Sequence, residues 1–439
     1  MTTVRRFLFA CIAAGVTAGP SGWAWADGAN AYTQTILVAN RDAYHPTVMV
    51  DENLVNGWGI ALRPPGIGGH IWISNAGTGT TTTYIGDVNG SPLHQDGLKV
   101  VPIQSSDGSY TPQVTGQVYN AASDIAGQPT EFYVSGPANN FSTNPATPVG
   151  TISGPAKFVF VTMDGTINAW RSGTNPGMQQ AVVVKDYTGN YASDHGLRFT
   201  PTLLGVAMTT ESFQQNPQGN RLYASDFGNN RIMTFDNQWN DISSQVVFER
   251  PANMGEDYSP FNIQYLNGRL YVAYAASEFE LDAPSEPLRA PTAGRVVAYD
   301  RNGHIVQDFS DQLPLNAPWG LAIAPKSFGA FGGKLLVGNF GSGTIAAYDP
   351  DTGAFVGELR DAAGNLIVID GLWGMTFGNG VALGDANALY FAAGPNLEDD
   401  GIFGRINVAA VPEPSSTLML VAGIGLLGCL AGRRRKPHK

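Results

Sequence analysis

The stretch from Leu335 to Asp349 reads LLVGNFGSGTIAAYD and shows the clearest pattern of the chain. An apolar segment, Leu335 to Asn339, is followed by a polar turn rich in glycine. A second apolar segment, Thr344 to Tyr348, then ends in an aromatic residue and an aspartate. Short apolar segments bounded by Gly, Asn and Asp are typical of β-strands joined by tight turns. The stretch therefore predicts a β-hairpin.

The same hairpin pattern recurs five more times along the chain. The other copies, of which the second and last are weaker, lie at 71–84, 158–170, 222–236, 270–300 and 389–406. A further apolar segment precedes most copies, as in Gly57 to Ala61 and Pro318 to Ala322, and for the copy at 158–170 the best candidate is Thr115 to Asn120. Another segment follows five copies, as in Gln245 to Phe248. Four short strands per repeat are typical of a β-propeller blade.

The last repeat has no fourth strand of its own, because Val408 runs almost at once into Pro412. The chain begins instead with a strand-like segment, Gln34 to Val38, ahead of the first repeat. A propeller closed by its N-terminal strand leaves no exposed sheet edge at the junction. The sequence thus predicts an all-β, six-bladed β-propeller whose last blade is closed by the N-terminal strand. The alternative is a pair of β-sandwiches built from unrelated strands.

The two ends of the chain predict export. Arg5 and Arg6, an apolar stretch and the small-residue site Ala24-Trp25-Ala26 have the form of a signal peptide, so we expect residues 1–26 to be removed. At the other end, the apolar run from Thr417 to Gly432 precedes three arginines and a lysine. An apolar helix with basic residues on its cytoplasmic side is typical of a membrane anchor, whereas the alternative is a buried core helix. The predicted domains are 1–26, 27–411 and 412–439.

Charge and cysteine content restrict the partners of the exported part. Residues 27–411 hold 18 of the 25 basic and 35 of the 36 acidic residues, a formal charge of −17. A strongly acidic surface repels nucleic acid, so nucleic-acid partners are not expected. Both cysteines, Cys11 and Cys429, lie in the terminal segments, so the exported part must be stabilised by its core and its sheet pairing.

The C-terminal segment resembles a known sorting signal. Pro412, Glu413 and Pro414, followed by an apolar run and a basic end, are similar to the PEP-CTERM signal of Gram-negative bacteria that make exopolysaccharide. The resemblance implies processing by an exosortase-type enzyme. The tail would then be a temporary anchor, with the propeller held outside the cytoplasm or released to the cell surface or matrix.

The body of the chain has two further resemblances. The segment LYASDFGNNRIMTF, residues 222–235, looks like one NHL repeat. More widely, segments such as LVNGWGIAL, SPFNIQYLNGRLYVAYA and IDGLWGMTFGNG resemble, in the same order, a family of uncharacterised exported bacterial propeller proteins. That likeness implies the fold and the location, and it brings no catalytic residues with it.

Aromatic and amide residues lead into the innermost predicted strands, which converge on a propeller's central channel. Apolar rings and amides together suit a sugar face or a planar ligand. The candidate ligand-binding residues at the channel mouth are therefore Trp58, Asn262, Trp319 and Trp373. The alternative is that the tryptophans only pack between blades.

A metal site is the second possibility in the channel. Hydrolytic propellers of the gluconolactonase type hold Ca²⁺ there, and Ca²⁺ takes six to eight oxygen ligands. The candidate ligands are Glu52, Asn56, Asn316 and Asp370, with Asn262 also weighed; the alternative is that such residues only make turns. The few histidines lack paired metal spacing, and no Gly-x-Ser-x-Gly motif occurs in residues 27–411.

These patterns favour an exported, surface-displayed binding or scaffold protein of the cell envelope or exopolysaccharide matrix, with polysaccharide or envelope proteins as partners. Whether it is an enzyme stays open, with a non-catalytic role favoured. The alternative function is a Ca²⁺-dependent lactonase or esterase with the metal in the channel.

Overall fold

The computed structural model describes residues 30–409 apart from 67, 126–129, 144, 174–175, 213–214, 217, 278–286 and 310–313. The predicted signal peptide, the Pro-Glu-Pro segment and the predicted membrane helix lie outside the described residues. Within them, strands dominate. Helical structure is limited to one α-helical turn and three 3₁₀ turns, at Tyr191–Asp194, Asp42–Tyr44, Ala121–Asp124 and Gly329–Phe331. The prediction of an all-β fold is confirmed.

Of the seven sheets in the described chain, six follow one another along it; in the first five the strands pair antiparallel in sequence order, and the sixth also includes the N-terminal strands. The bounds of their strands are, in sheet 1, Gly57–Ala61, Ile71–Asn75, Thr80–Tyr84 and Val100–Pro102; in sheet 2, Val114–Tyr119, Phe158–Thr162, Thr166–Trp170 and Val182–Asp186; in sheet 3, Leu203–Met208, Leu222–Asp226 and Arg231–Phe235; in sheet 4, Tyr258–Leu266, Arg269–Ala276, Gly294–Tyr299 and Ile305–Asp308; in sheet 5, Pro318–Ile323, Leu335–Asn339, Ile345–Tyr348 and Phe355–Glu358; in sheet 6, Leu372–Phe377, Leu389–Ala393, Ile402–Val408, Tyr32–Ala39 and Met49–Val50.

The N-terminal strand closes sheet 6. Tyr32–Ala39 pairs antiparallel with Ile402–Val408. On its other side, Tyr32–Ala39 pairs in parallel with the short strand Met49–Val50. The buried residues Leu37, Val38 and Ala39 therefore join the first and last parts of the described chain.

The first strands of the six sheets, here called the inner strands, form a closed ring. Each one contacts the inner strands of the two neighbouring sheets, and the sixth contacts the first. Five of them carry a glycine where the next backbone approaches. A Cβ on Gly374 would lie 2.3 Å from the carbonyl oxygen of Trp58, and one on Gly116 would lie 2.8 Å from the amide nitrogen of Val206. The fourth inner strand has Asn262 at this position, and its side-chain amide donates to the carbonyl oxygen of Trp319 at 2.7 Å.

The second strand of most sheets is buried on both faces, because each sheet packs against its neighbours. In Phe158–Thr162 and Leu335–Asn339, for example, every residue is buried. This explains why the sequence shows continuous apolar runs at these places instead of the alternation of a half-exposed strand.

Two local predictions were wrong or incomplete. Gln245 to Phe248 is not a strand, so sheet 3 has three strands among the described residues. The chain turns before this segment, and the backbone amide of Ser243 donates to the carboxylate of Asp241. The hydroxyl oxygen of Ser243 accepts a hydrogen bond from the backbone amide of Thr234, so a side chain takes the place of a fourth strand at this point. The segments that connect the strands of sheet 2 form a separate three-stranded sheet, which was not predicted and is here called the inserted sheet. It consists of Tyr133–Asn140, Thr147–Pro155 and Pro176–Met178.

Candidate functional site

The side chains that point to the axis of the ring are set by β-bulges. The register between the inner and second strands shifts in all six sheets, and in five of them the shift lies at the start of the inner strand, where the predicted tryptophans stand. A bulge turns a side chain away from its regular direction. The residues directly before the equivalent inner-strand glycines or Asn262 are Trp58, Thr115, Leu204, Phe261, Trp319 and Trp373.

Three tryptophans from sheets 1, 5 and 6 pack together on this axis. The rings of Trp58 and Trp373 stack with centroids 3.5 Å apart and an interplanar angle of 17°, and the edge of Trp319 meets both. All three side chains are at most 2% exposed. A left-handed residue lies two positions before each tryptophan: Asn56, Ala317 and Gly371. The tryptophans therefore form the core of the ring at this level.

The stack continues outward to the protein surface. Phe340 packs on Trp373 with centroids 3.8 Å apart and nearly parallel planes, and the guanidinium carbon of Arg289 lies 4.1 Å above the Phe340 ring. Arg289 is partly exposed, so a cation covers the outer end of the column formed by Trp58, Trp373 and Phe340. Such a cation–π contact contributes about 0.5–2 kcal/mol, depending on its exposure.

A chain of polar contacts ties the column to its rim. The indole nitrogen of Trp373 donates to the side-chain oxygen of Asn56 at 3.1 Å, and the amide nitrogen of Asn56 donates to Glu398 at 3.0 Å. The second carboxylate oxygen of Glu398 lies 3.4 Å from Arg289. Arg289 is therefore held by the Phe340 ring that it covers, and Glu398 is held by Asn56, which is itself bonded to Trp373.

Glu398 is presented by a strained turn. Asn396, Leu397 and Glu398 all have positive φ angles, between 54° and 72°. This backbone conformation costs free energy for every residue other than glycine. The turn is anchored by the buried Asp400, which accepts from the side chains of Asn396, Asn40 and Tyr44 and pairs with Arg41 at 2.7 Å. Burial alone would raise the pKa of Asp400, but these bonds to its charged form lower it. Leu397 is left 87% exposed.

Between this rim and the aromatic column lies a cavity of about 670 Å³, here called the mouth cavity. Its wall includes Gln113, Met163 and Thr202 as well as Arg289 and Glu398. Hydrogen-bonding groups, one charge of each sign and an apolar floor thus face the same space. A second cavity, of about 460 Å³, lies at the opposite ends of the inner strands, and mostly apolar side chains line it.

The predicted ligand-binding residues lie together but deep in the fold. Trp58, Trp319 and Trp373 touch one another, and Asn262 is 1% exposed, with its side chain bonded to the next inner strand. Contact of these four residues with a ligand stays a prediction. Of them, Trp58 and Trp373 form part of the floor of the mouth cavity.

The predicted metal ligands differ in their surroundings. Glu52 and Asp370 are exposed, and Asp370 accepts the amide of Asn396 at 3.0 Å. Asn56 is buried and bonded on both sides, whereas the side-chain oxygen of Asn316 is buried with no hydrogen-bond partner among the described residues. Among those residues, no group of three or more His, Cys, Asp and Glu side chains is arranged to share a metal ion.

The sequence does not predict that three residues of the mouth, Glu398, Phe340 and Arg289, take part in a site. Glu398 lies in Leu397 to Gly401, the densest acidic cluster of the sequence; a surface Ca²⁺ site is one interpretation of this cluster, but without EF-hand spacing the sequence favours a loop, and it gives no indication of a role at the mouth. Phe340 follows Asn339, which ends the second strand as Asn75 and Asp226 do in other repeats, and such residues indicate a turn before they indicate a ligand. Arg289 gives no signal, because it follows a long segment outside the repeat pattern and its partners are distant in sequence.

The comparison with protein families identifies the C-terminal segment. Residues 410–436 match the PEP-CTERM protein-sorting motif, so the prediction of this sorting signal is confirmed, and it indicates an exported protein. Among the residues that the structure describes, none of the helices has the length and apolar character needed to cross a membrane.

The body of the chain resembles uncharacterised proteins. One protein of Acanthamoeba polyphaga mimivirus is 29% identical over 375 residues, which cover 84% of this chain and 78% of the relative. A second from the same virus is 25% identical over 378 residues, with 84% of each chain covered.

Similar solved structures include two sugar-related proteins. An α-L-arabinofuranosidase of Fusarium graminearum in complex with arabinobiose has a TM-score of 0.47 at 9% identity, covering 85% of this chain and 97% of the other. A PQQ-bound aldose sugar dehydrogenase from Streptomyces coelicolor has a TM-score of 0.38 at 12% identity, covering 87% and 99%.

Proposed function

We propose that the protein is an exported, six-bladed β-propeller of the NHL-like type that acts as a surface-displayed binding or scaffold module of the cell envelope or exopolysaccharide matrix. The sorting motif at residues 410–436 supports export, and the closed ring of six inner strands supports the blade count. Processing of the tail by an exosortase-type enzyme is part of this proposal, as is anchoring by the apolar run at 417–432 until that processing occurs.

The observation that carries the binding role is the mouth cavity. Arg289 and Glu398 are fixed over a rigid aromatic column, so little conformational entropy is lost when they bind a ligand. A concave site with an apolar floor and a few convergent polar groups is the usual form of a small-ligand pocket. Sugar units have apolar ring faces and hydroxyl groups, and they suit this combination. The proposed ligand is therefore a sugar unit of an envelope polysaccharide.

The test is binding of the purified chain to a glycan array and to envelope polysaccharide from the source bacterium. We expect Arg289→Gln to weaken binding about 10-fold, because it removes a charged hydrogen-bond donor from the rim. The matched control is Arg269→Gln, which changes a half-exposed arginine in a different cavity and should bind like the unchanged chain. No binding to any envelope polymer or protein, or equal loss in both variants, would contradict the proposal.

The Ca²⁺-dependent lactonase or esterase stays the second proposal because of one observation, the unpartnered and buried side-chain oxygen of Asn316. Carbonyl oxygens of this kind are suitable Ca²⁺ ligands. If Ca²⁺ binds, the melting temperature should rise with added Ca²⁺ and fall with EDTA, and a site filled at 100 times its Kd stabilises the fold by about 2.7 kcal/mol. Asn316→Ala and Asp370→Ala should remove that shift. A melting temperature that changes neither with Ca²⁺ nor with EDTA would exclude a Ca²⁺ site.

A further inference from the structure

A third cavity, larger than the two at the ends of the inner strands, lies away from the ring axis. It measures about 1150 Å³ and is enclosed between sheet 1, sheet 2 and the inserted sheet, and we call it the insert cleft. Pockets for drug-sized ligands measure roughly 300–1,000 Å³, so this cleft has room for a larger molecule. Its floor is formed by the edges of Trp72, Phe158 and Trp170, which pack against one another and are almost fully buried.

The inserted sheet supplies one complete wall of this cleft. The turn between its first two strands places Phe141, Ser142 and Thr143 along the space. This turn is pressed against sheet 1, since a Cβ on Gly97 would lie 1.8 Å from the carbonyl oxygen of Phe141. The hairpin that departs from the repeat pattern is thus the element that converts an open side of the sheets into a cleft.

The opposite wall carries more positive charge than negative. Arg63 and Lys99 face the space together with a single carboxylate, Asp96, which lies 3.0 Å from the Nε2 atom of His70. Hydrogen bonds from His70 and from the backbone amide of Leu98 lower the pKa of Asp96. The negative charge of Asp96 is therefore already paired within the protein. Lys99 makes no side-chain hydrogen bond or ion pair with any residue that the structure describes, and it is exposed to the cleft.

Arg63 is held rigidly at the edge of the cleft. Its guanidinium donates to the carbonyl oxygen of Gly68 at 2.7 Å and lies 5.5 Å from the centre of the Tyr119 ring. Its nearest carboxylate, Asp124, is 3.9 Å away and also pairs with Lys157. The cleft therefore concentrates cationic groups in a domain whose formal charge is −17. Such a local excess selects negatively charged ligands from solution.

We propose that the insert cleft is a second binding site, separate from the mouth cavity, that takes an acidic oligosaccharide with carboxylate groups. The size of the cleft favours several linked units over one. The side chains of Gln95, Ser142 and Thr143 already donate within the protein, and their oxygens can accept from hydroxyl groups. The carboxylate of the ligand is recognised by Lys99 and Arg63. The site does not depend on the proposed role of the mouth cavity, with which it shares no lining residue.

The probe is hexagalacturonate, compared with its fully methyl-esterified form, which keeps the sugar chain and removes the charge. Binding to the purified chain is measured by calorimetry at neutral pH and low salt. We expect the acid to bind about 10-fold more tightly than the ester, because charge-assisted hydrogen bonds are roughly twice as strong as neutral ones. Lys99→Gln should remove most of this preference.

Two control variants locate the site. Lys326→Gln removes an exposed lysine from another cavity, and Arg289→Gln changes the mouth cavity; both should keep the preference for the acid. Equal affinity for acid and ester, no binding of either, or a preference that survives Lys99→Gln would overturn the proposal. Loss of binding in Arg289→Gln alone would assign the acidic sugar to the mouth cavity instead.

Discussion

Among single residues, the tryptophans on the ring axis mainly stabilise the fold. Trp373 stacks on Trp58 on one side and on Phe340 on the other, and its indole nitrogen is bonded to Asn56. A ligand in the mouth cavity would meet Arg289 and Glu398 before it met these rings. Substitution of a buried tryptophan would therefore test folding, whereas substitution of the rim tests binding.

We expect Trp373→Ala to lower the free energy of unfolding by about 3–5 kcal/mol, because it leaves a large cavity in a closely packed column. Arg289→Gln should cost less than about 1 kcal/mol, since the arginine is partly exposed. Urea unfolding of both variants checks this. Equal stability of Trp373→Ala and the unchanged chain would show that the column is loosely packed.

Asp400 should make stability depend on acid pH. Its pKa is lowered in the folded chain, so its contribution is present above the pKa of an unfolded aspartate, about 3.9, and is lost as the pH falls through its folded value. Asp400→Asn should be destabilised by about 1–3 kcal/mol at pH 7, with a difference that shrinks as the pH falls below about 4. The exposed neighbour provides the control, Asp399→Asn. A difference independent of pH would contradict the assignment.

At the scale of elements, the inner strands explain the repeated glycines. A glycine in the fully paired part of a strand normally weakens it, yet here it permits contact between the backbones of neighbouring sheets. Asn262 departs from the pattern and replaces the close approach with a side-chain bond to Trp319. From the sequence its amide is a candidate ligand contact, because a sequence does not show which buried amide already has a partner.

Gly374→Ala should destabilise the chain by about 1–3 kcal/mol, since the added Cβ would lie 2.3 Å from a backbone oxygen. Gly68→Ala is the matched control, because a Cβ there meets nothing within 4 Å. Thermal unfolding of the pair separates the effect of crowding from that of losing a glycine. Equal melting temperatures would refute the close contact between inner strands.

At the scale of the whole molecule, closure depends on the pairing of the two ends of the described chain. Val38 is fully buried and lies opposite Phe403 and Met49. Val38→Pro places a residue without an N–H inside this pairing, in a fully buried strand, and should cost about 1–3 kcal/mol. Val149→Pro, in the exposed edge strand of the inserted sheet, should cost much less. Unfolding in denaturant compares them, and similar losses would argue against closure by Tyr32–Ala39.

Much of this architecture could be predicted because it repeats. The hairpin pattern located the second and third strands of the sheets, and the missing last strand pointed to the N-terminal segment. The inserted sheet could not be predicted, since its mostly exposed strand Thr147–Pro155 has no apolar periodicity. The mouth was only half predicted for a related reason: its tryptophans follow the repeat, while Arg289 and Glu398 come from irregular loops and are 109 residues apart.

The central claim is that ligands bind at the rim of the mouth cavity, and hydroxyl-radical footprinting tests it most directly. The purified chain is oxidised with and without envelope polysaccharide, and modification of Leu397 is compared with that of Val381, which is 57% exposed in the loop that follows the far end of the sixth inner strand. If the polysaccharide binds at the rim, it should protect Leu397 several-fold and leave the oxidation of Val381 unchanged. Unaltered oxidation of Leu397, or protection of Val381 instead, would contradict it.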